Sequence, residues 1–219
     1  MPAFRDRSDA GRALARMLRA YKGLDDVVVL GLPRGGVVVA AEVARALDVP
    51  LDVLVVRKLG VPGHEEFAMG ALASGGVQLL DAATIRTLGI SGPQVAGVIH
   101  RETLELSRRE RAYRSDREPL PVEDRTCILV DDGLATGASM RAAVMALRAL
   151  RPGRIIAAAP IAAADACASV RAVADECVCA LVPAYLYGLG YWYEHFEQTT
   201  DEEVRELLER SARPVVGAA

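Results

Sequence analysis

Short apolar runs alternate along the chain with longer stretches in which apolar residues recur every three or four positions. The short runs have the length and the Val, Leu and Ile content of buried strands; they are 27–32, 51–57, 128–130, 154–160 and 176–182. The longer stretches have helical spacing; they include 6–21, 37–47, 91–118, 162–174 and 200–210. Because the two patterns alternate, the sequence predicts an α/β fold in which a central parallel β-sheet is flanked by helices on both faces.

The apolar run 128–130 continues without a gap into the densest polar motif of the chain, I-L-V-D-D-G-L-A-T-G-A-S-M at 128–140. Asp131 and Asp132 stand where the strand should end, and a loop of small and hydroxyl residues leads into a helix. The N-terminus of a helix presents backbone N–H groups and a positive dipole to an anion. Carboxylates only accept hydrogen bonds, so an adjacent pair suits a diol or a hydrated cation. The segment therefore predicts a site for a ribose 5-phosphate.

The motif differs from the two commonest phosphate-binding loops. It lacks the lysine of G-x-x-x-x-G-K-[ST], and its carboxylates precede the glycines instead of following them by about 20 residues.

Two further loops follow predicted strands. P-R-G-G at 33–36 comes after the first run, and its arginine, Arg34, adds a cation. Arg57 and Lys58 end the second run and lead into a Gly/Pro-punctuated loop that we expect to act as a mobile lid over an anion. In that loop His64 and Glu65 are candidates to touch substrate, although His64 also fits a plain loop histidine. Ligands of parallel sheets bind at the carboxyl ends of the strands, so the three loops 33–36, 57–66 and 131–139 should converge.

Composition narrows the classes of function. The chain of 219 residues is long enough for one domain, which we place at 1–219 with a core at 27–182 and a tail at 183–219. A net charge of −3 argues against a general nucleic-acid binder. No apolar run approaches the roughly 20 residues of a membrane span, and the first residues lack a hydrophobic signal core. We therefore expect no nucleic-acid or membrane partner and a cytoplasmic location.

The four cysteines, at 127, 167, 177 and 179, show no C-x-x-C spacing. Buried free thiols are the preferred interpretation, ahead of a metal cluster or a disulfide framework. A weak two-residue alternation over 67–80 predicts a hairpin that turns at 74–76.

The motif at 128–140 resembles the phosphoribosyl-diphosphate (PRPP) signature of type I phosphoribosyltransferases, and its wording is closest to the adenine enzymes. P-R-G-G at 33–36 is similar to the pyrophosphate loop of that family, and V-R-K at 56–58 is similar to a segment of the adenine enzymes. Two positions depart from the family pattern. Gly133 stands where a branched apolar residue is commoner, and Ala135 stands where the 6-oxopurine enzymes carry a carboxylate.

The resemblance, which covers roughly 27–182, implies a Rossmann-like phosphoribosyltransferase fold with a small hood from the C-terminal region. It implies transfer of a 5-phosphoribosyl group from PRPP to a nitrogen acceptor, with Mg²⁺ as cofactor and no directly assigned protein ligand for the metal. Asp131 and Asp132 would be the catalytic pair that holds the ribose hydroxyls. The 5′-phosphate would lie on the loop Ala135, Thr136, Gly137, Ala138 and Ser139. The pyrophosphate would lie on Arg34, Gly35 and Lys58, with a non-proline cis peptide expected at Arg34–Gly35.

Three questions stay open from sequence. The aromatic cluster of the tail, including Tyr191 and Trp192, could stack the acceptor base or serve as an apolar lid or dimer contact. No general acid or base stands out, since Glu65 and Glu66 are candidates only through their loop position. A non-catalytic PRPP sensor is the rival to an enzyme. The expected partners are PRPP, a small nitrogenous acceptor such as a nucleobase, and a second copy of the chain in a homodimer.

Overall fold

A five-stranded, fully parallel sheet forms the centre of the computed structural model, which describes residues 2–114 and 117–211. The strand order is β2-β1-β6-β7-β8. These strands are β1 (Val27–Gly31), β2 (Leu51–Val53), β6 (Thr126–Val130), β7 (Arg154–Ile161) and β8 (Glu176–Leu181). The predicted α/β architecture is therefore confirmed.

Helices cover both faces of this sheet. On one face lie α1 (Arg7–Met17), α2 (Gly35–Leu47) and α7 (Asp201–Arg210), and on the other lie α5 (Ala138–Arg148) and α6 (Ala164–Arg171). Two further helices, α3 (Ala82–Thr87) and α4 (Gly92–Arg114), pack against the strands of the segment 56–80. Alternate residues of one strand serve opposite faces. Val27 and Val29 of β1 pack in the cluster that includes α1 and α2, whereas Val28 and Leu30 pack in the cluster that includes α5 and α6. This two-sided burial explains why the core strands read as continuous apolar runs.

The second apolar run, 51–57, was predicted to be one strand with a loop behind it, and this prediction was wrong. The run breaks after β2, and the chain enters a separate antiparallel sheet made of β3 (Val56–Val61), β4 (His64–Ala73) and β5 (Val77–Leu80). The segment 57–66 is thus mostly a hairpin that turns at Pro62 and Gly63, where Gly63 takes a positive φ of 80°. Leu59 and Val61 anchor this hairpin in the core. The turn predicted at 74–76 is confirmed.

Local capping follows the sequence. The Asp6 carboxylate accepts a hydrogen bond from Asp9 N at the start of α1, and Thr200 and Glu203 form a reciprocal capping box at the start of α7. The C-terminal segment 213–219, for which the sequence predicts a frayed end, lies outside the described residues. Within the described ranges, no helix combines the length and the apolar character that crossing a bilayer requires.

A buried ion pair ties α4 to the edge of the central sheet. Arg114 Nε lies 3.0 Å from Asp52 Oδ1, and only 8% of the arginine and 4% of the aspartate side chain is exposed. Asp52 also accepts hydrogen bonds from Val53 N and Leu120 N, at 2.7 and 2.9 Å. Arg114 donates a further hydrogen bond to Val53 O. Each charge is therefore hydrogen-bonded on several sides, as a buried charge must be.

Candidate active site

The three predicted motifs meet around one cavity of about 540 Å³, here called the main cavity. It lies at the carboxyl ends of β1 and β6, and the β3–β4 hairpin forms its far wall. The residues that line it include Pro33, Arg34, Gly35, Lys58, Arg109, Asp131, Asp132, Ala138 and Ser139. A smaller hollow of about 210 Å³, here called the loop hollow, adjoins it and is lined by residues 131–140 and Leu189. Both hollows share Asp131, Asp132, Ala138 and Ser139, so the acid pair stands between them.

The loop that follows β6 is held at both ends. Leu134 forms a bridge to the end of β7, in which its N–H donates to Ile161 O at 2.9 Å and its carbonyl accepts from Ala163 N at 2.9 Å. Gly137 takes φ 74° and begins α5, whose first turn opens towards the loop hollow. Thr136 and Ser139 are exposed there. The loop therefore presents hydroxyls and a helix N-terminus to one small space, which is the arrangement that an anion requires.

The absence of a side chain at position 133 is explained by Leu189, a tail residue that packs against Gly133. A side chain at this position would overlap Leu189 Cδ2 and would approach Ile161 Cγ2 to 3.2 Å. Leu189 thus takes the space that a branched residue would fill.

Asp132 of the acid pair is contacted by Arg7, near the start of the sequence, and by Tyr193, in the tail. Arg7 Nε lies 2.7 Å from Asp132 Oδ2, and the same guanidinium donates to Glu197 O at 2.7 Å and stacks over the Phe196 ring at 3.9 Å. Tyr193 Oη donates to the backbone carbonyl of Asp132 at 2.6 Å. Sequence reasoning missed Arg7, because the helical spacing of 6–21 indicates a packing helix and suggests no chemistry. The available signal was that the residues three and four positions after Arg7 are alanine and glycine, so no helical acid can neutralise it.

Asp131 has an unusual protonation equilibrium. Loss of solvent around its carboxyl group, followed by the negative charge of Asp132, raises its pKa from 3.8 to about 7. The N–H of Asp132, which donates to Asp131 Oδ1 at 2.9 Å, opposes this rise only in part. A cation or a set of hydroxyl donors beside Asp131 would favour its charged form.

The raised pKa predicts a pH-dependent stability. Between pH 3.8 and about pH 7 the folded protein holds a proton on Asp131 that the unfolded chain releases, so the free energy of unfolding falls as pH rises through this window. Asp131→Asn removes that fall. As pH rises from about 5 to about 8, the free energy of unfolding of the variant should therefore increase by at most about 2.5 kcal/mol relative to that of the parent protein. Urea unfolding of the ligand-free proteins at both pH values measures this, and a pH-independent difference would contradict the assignment.

The cations of the main cavity come from three elements. Arg34 precedes α2 and lies 3.7 Å from Asp201 Oδ1. Arg57 and Lys58 point to opposite faces of β3, as neighbours on a strand must. Arg57 pairs with Glu102 at 2.6 Å, whereas Lys58 lines the main cavity. Arg109 of α4 lines it as well and was not predicted, because its pairing with Glu105 at 2.7 Å fits an ordinary exposed helix.

The predicted position of the cis peptide was wrong by one bond. The non-proline cis peptide joins Pro33 to Arg34, and Arg34–Gly35 is not among the cis bonds of the described chain. Gly35 is already the first residue of α2, and Arg34 has helical φ and ψ of −98° and −49°.

Four predicted contact residues lie away from both hollows. His64 and Glu65 are exposed at the hairpin turn and do not line either hollow as described, because the lid that was to carry them is a hairpin strand. Tyr191 and Trp192 also line neither hollow. Tyr191 belongs to an exposed row with Tyr187, at a ring distance of 6.2 Å, and Trp192 packs beside Tyr193 and Phe4. Among the tail residues that the structure describes, only Leu189 lines one of these two hollows.

Comparison with known proteins identifies the family. A family model described as phosphoribosyl transferase domain matches residues 5–186, and the chain belongs to this family. The crystal structure of TT1426 from Thermus thermophilus has a TM-score of 0.87 at 42% identity, covering 97% of this chain and 100% of that one. The predicted family and its fold, a parallel sheet flanked by helices, are thereby confirmed.

Two curated relatives extend the comparison. "Putative phosphoribosyl transferase Rv0571c" of Mycobacterium tuberculosis (strain H37Rv) is 44% identical over 213 residues, which are 97% of this chain and 48% of that protein. "Bifunctional protein PyrR" of Roseiflexus sp. (strain RS-1) is 31% identical over 156 residues, which are 68% of this chain and 66% of that protein. The chain thus spans about half the length of the Mycobacterium relative.

Proposed function

We propose that this domain transfers a 5-phosphoribosyl group from Mg²⁺-bound PRPP to a nitrogen acceptor, such as a nucleobase, with release of pyrophosphate. The observation that carries the proposal is the position of the acid pair. Asp131 and Asp132 stand between the loop hollow, which suits a phosphate, and the cation-lined part of the main cavity, which suits a pyrophosphate. PRPP has the same order of groups, with a diol-bearing ribose between a 5′-phosphate and a pyrophosphate.

Each group of PRPP has a counterpart among the described residues. The loop 135–139 would hold the 5′-phosphate through N–H groups and the hydroxyls of Thr136 and Ser139. Asp131 and Asp132 would accept hydrogen bonds from the ribose hydroxyls. Arg34, Gly35 and Lys58 would hold the pyrophosphate, and we add Arg109 to this set. As pyrophosphate departs, positive charge grows on the ribose and negative charge on the leaving group, so acids and cations on opposite sides of the broken bond stabilise both.

The donor set also fits a magnesium ion. Mg²⁺ prefers oxygen ligands, keeps several waters, and binds through one or two carboxylates together with substrate phosphates. Asp131 and Asp132 are the carboxylates that line the described main cavity, and they would hold the hydrated ion with PRPP. When bound, the ion would neutralise part of the charge on the departing pyrophosphate.

A second candidate function is a PRPP sensor without turnover. Two observations favour keeping it. A relative bears the name "Bifunctional protein PyrR", and the lining of the described main cavity offers no carboxylate or histidine beyond the acid pair to act as general acid or base. Under either function the same residues bind PRPP.

Pyrophosphate release from Mg²⁺-PRPP across purine, pyrimidine and pyridine acceptors tests the proposal, together with PRPP-dependent protection from thermal unfolding. Release that depends on one acceptor supports the enzyme and names its substrate. Protection without release supports the sensor, and neither release nor protection contradicts both. Sedimentation of the same sample tests the expected homodimer.

Gly35→Ala should weaken PRPP binding about tenfold. The added methyl group would overlap Asp132 Oδ2 and lie 2.6 Å from Arg7 Nε, so the carboxylate would have to leave its position. Overpacking of this kind costs about 1–3 kcal/mol. Titration calorimetry with Mg²⁺-PRPP measures the change. Gly97→Ala is the matched control, because a Cβ at this helical position meets nothing within 4 Å. Equal affinity in both variants would argue against a ligand at Asp132.

A further inference from the structure

Three of the four cysteines converge on one point outside the main cavity. The Sγ of Cys167 lies 2.7 Å from that of Cys179 and 3.8 Å from that of Cys177, and the last two are 3.8 Å apart. Cys167 comes from α6, and Cys177 and Cys179 lie on β8, the last strand of the central sheet. Cys167 and Cys177 are buried, and Cys179 is half-buried. The sequence interpretation as buried free thiols did not show that three of them lie together.

The spacing of the cysteines along the chain does not reveal the cluster, because two of them lie on a strand and the third lies on a helix that packs against it. Residues two apart on a strand face the same side, so the C-V-C of β8 directs both thiols to one face. Helix α6 precedes β8 and packs against it, which brings Cys167 over that face. The C-x-x-C pattern, by which metal sites are detected in sequences, is typical of ligands on tight turns. Cysteines on a strand and a neighbouring helix can converge without it.

Two of the three sulfur–sulfur distances match those of a thiolate metal site. With metal–sulfur bonds of about 2.3 Å, two thiolates of a tetrahedral site stand about 3.8 Å apart. Two of the three sulfur pairs already have this separation, and the third must open by about 1 Å. A disulfide requires about 2.05 Å between two sulfurs and would leave the third cysteine without a role. Three converging sulfurs therefore favour a metal over a disulfide.

The surroundings select the class of metal. No histidine, aspartate or glutamate joins the three sulfurs in the described parts of the chain, so a fourth position is left for water or an external ligand. Soft thiolates select Zn²⁺, Cd²⁺ or Cu⁺ over hard ions such as Mg²⁺.

We propose that Cys167, Cys177 and Cys179 form a three-thiolate site for a thiophilic d¹⁰ metal ion of the Zn²⁺ type. The site fixes α6 against β8. The same helix faces the phosphate-binding loop, because a Cβ at Gly137 would lie 3.2 Å from Ala166 O and 3.1 Å from Ser169 Oγ. The metal therefore stabilises α6, the helix that packs against that loop, and takes no part in the transfer reaction.

Cd²⁺ titration of the reduced, full-length protein tests the site, because cadmium thiolates absorb in the near ultraviolet. We expect one ion per chain with this absorption, displacement only by a large excess of Zn²⁺, and a rise in Tm of about 5–10 °C at a hundredfold excess over Kd. Cys179→Ser should lose the absorption and the rise in Tm. This half-buried position tolerates serine, and circular dichroism checks the fold. Cys167→Ser is a second test from the other element.

Cys127→Ala is the matched control. This buried thiol of β6 lies outside the cluster, so its replacement should leave the absorption and the stoichiometry unchanged. Equal cadmium binding by Cys179→Ser, or no thiolate absorption in the parent protein, would overturn the proposal. So would a Cys167–Cys179 disulfide in peptide maps of untreated protein, if the reduced protein then failed to bind Cd²⁺ or Zn²⁺. None of these outcomes depends on phosphoribosyl transfer.

Discussion

Replacing Asp132 with asparagine should lower the rate of pyrophosphate release from Mg²⁺-PRPP by about 10²–10³-fold, with the fold retained. The loss should be large because, in the proposed reaction, the carboxylate would face the ribose, where positive charge grows as the bond to pyrophosphate breaks. Removing one preorganised electrostatic partner costs about that factor. Asparagine keeps the size of the side chain, so Arg7 loses a charged partner without a cavity being made. Steady-state assays with the acceptor that the parent protein uses give kcat and KM separately.

Asp165→Asn is the control for this measurement. Asp165 is exposed in the first turn of α6 and lines neither hollow, so its replacement should change the rate less than twofold, within about 0.4 kcal/mol. A fall confined to KM would mean that Asp132 binds the ground state and the transition state equally. Unchanged turnover in Asp132→Asn would exclude the catalytic role given to the acid pair.

Arg114→Met should lower the free energy of unfolding by about 3–5 kcal/mol. The variant leaves Asp52 charged and 3% exposed, with two backbone N–H donors and no cation. For a chain of this size the loss corresponds to a fall in Tm of about 6–20 °C. Differential scanning calorimetry and urea unfolding measure both quantities.

A surface pair and a double variant make this test specific. Arg108→Met removes an arginine paired with Glu105 at 2.8 Å at the protein surface, and pairs of that kind contribute at most about 1 kcal/mol. Asp52→Asn combined with Arg114→Met should recover a large part of the lost stability, because the stranded charge is gone. If the double variant is no more stable than Arg114→Met, packing of the arginine stem rather than its charge holds α4 in place.

The sequence was most informative where one short segment contains a whole functional unit. The motif at 128–140 predicted its strand, its loop and its helix, and the structure places Asp131 and Asp132 at the end of β6 as expected. Parallel-sheet geometry also brought 33–36 and 131–139 together without any contact being assumed. Capping residues were visible for the same reason, since a cap acts within three residues. The sequence offered Ser8 or Asp6 as the cap of α1, of which the structure has Asp6, and it indicated a capped start for α7 at Thr200.

Sequence reasoning failed where the partner of a residue lies far along the chain. The break in 51–57 could not be seen, because apolar content shows that a strand is buried and does not show which sheet it joins. Arg7 pairs with a residue 125 positions away, beyond the reach of any periodicity. The thiol cluster required knowledge that α6 packs on β8.

The clamp of Arg7 on Asp132 and on Glu197 O closes chain loops of 125 and 190 residues. Contacts of such high sequence separation incur the largest loop-closure entropy and tend to form late in folding. During synthesis, the arginine leaves the ribosome long before either partner. The acid pair should therefore reach its final setting only after the segment that carries Tyr193 and Glu197 has emerged and docked, whereas the central sheet, whose last strand ends at Leu181, can form earlier.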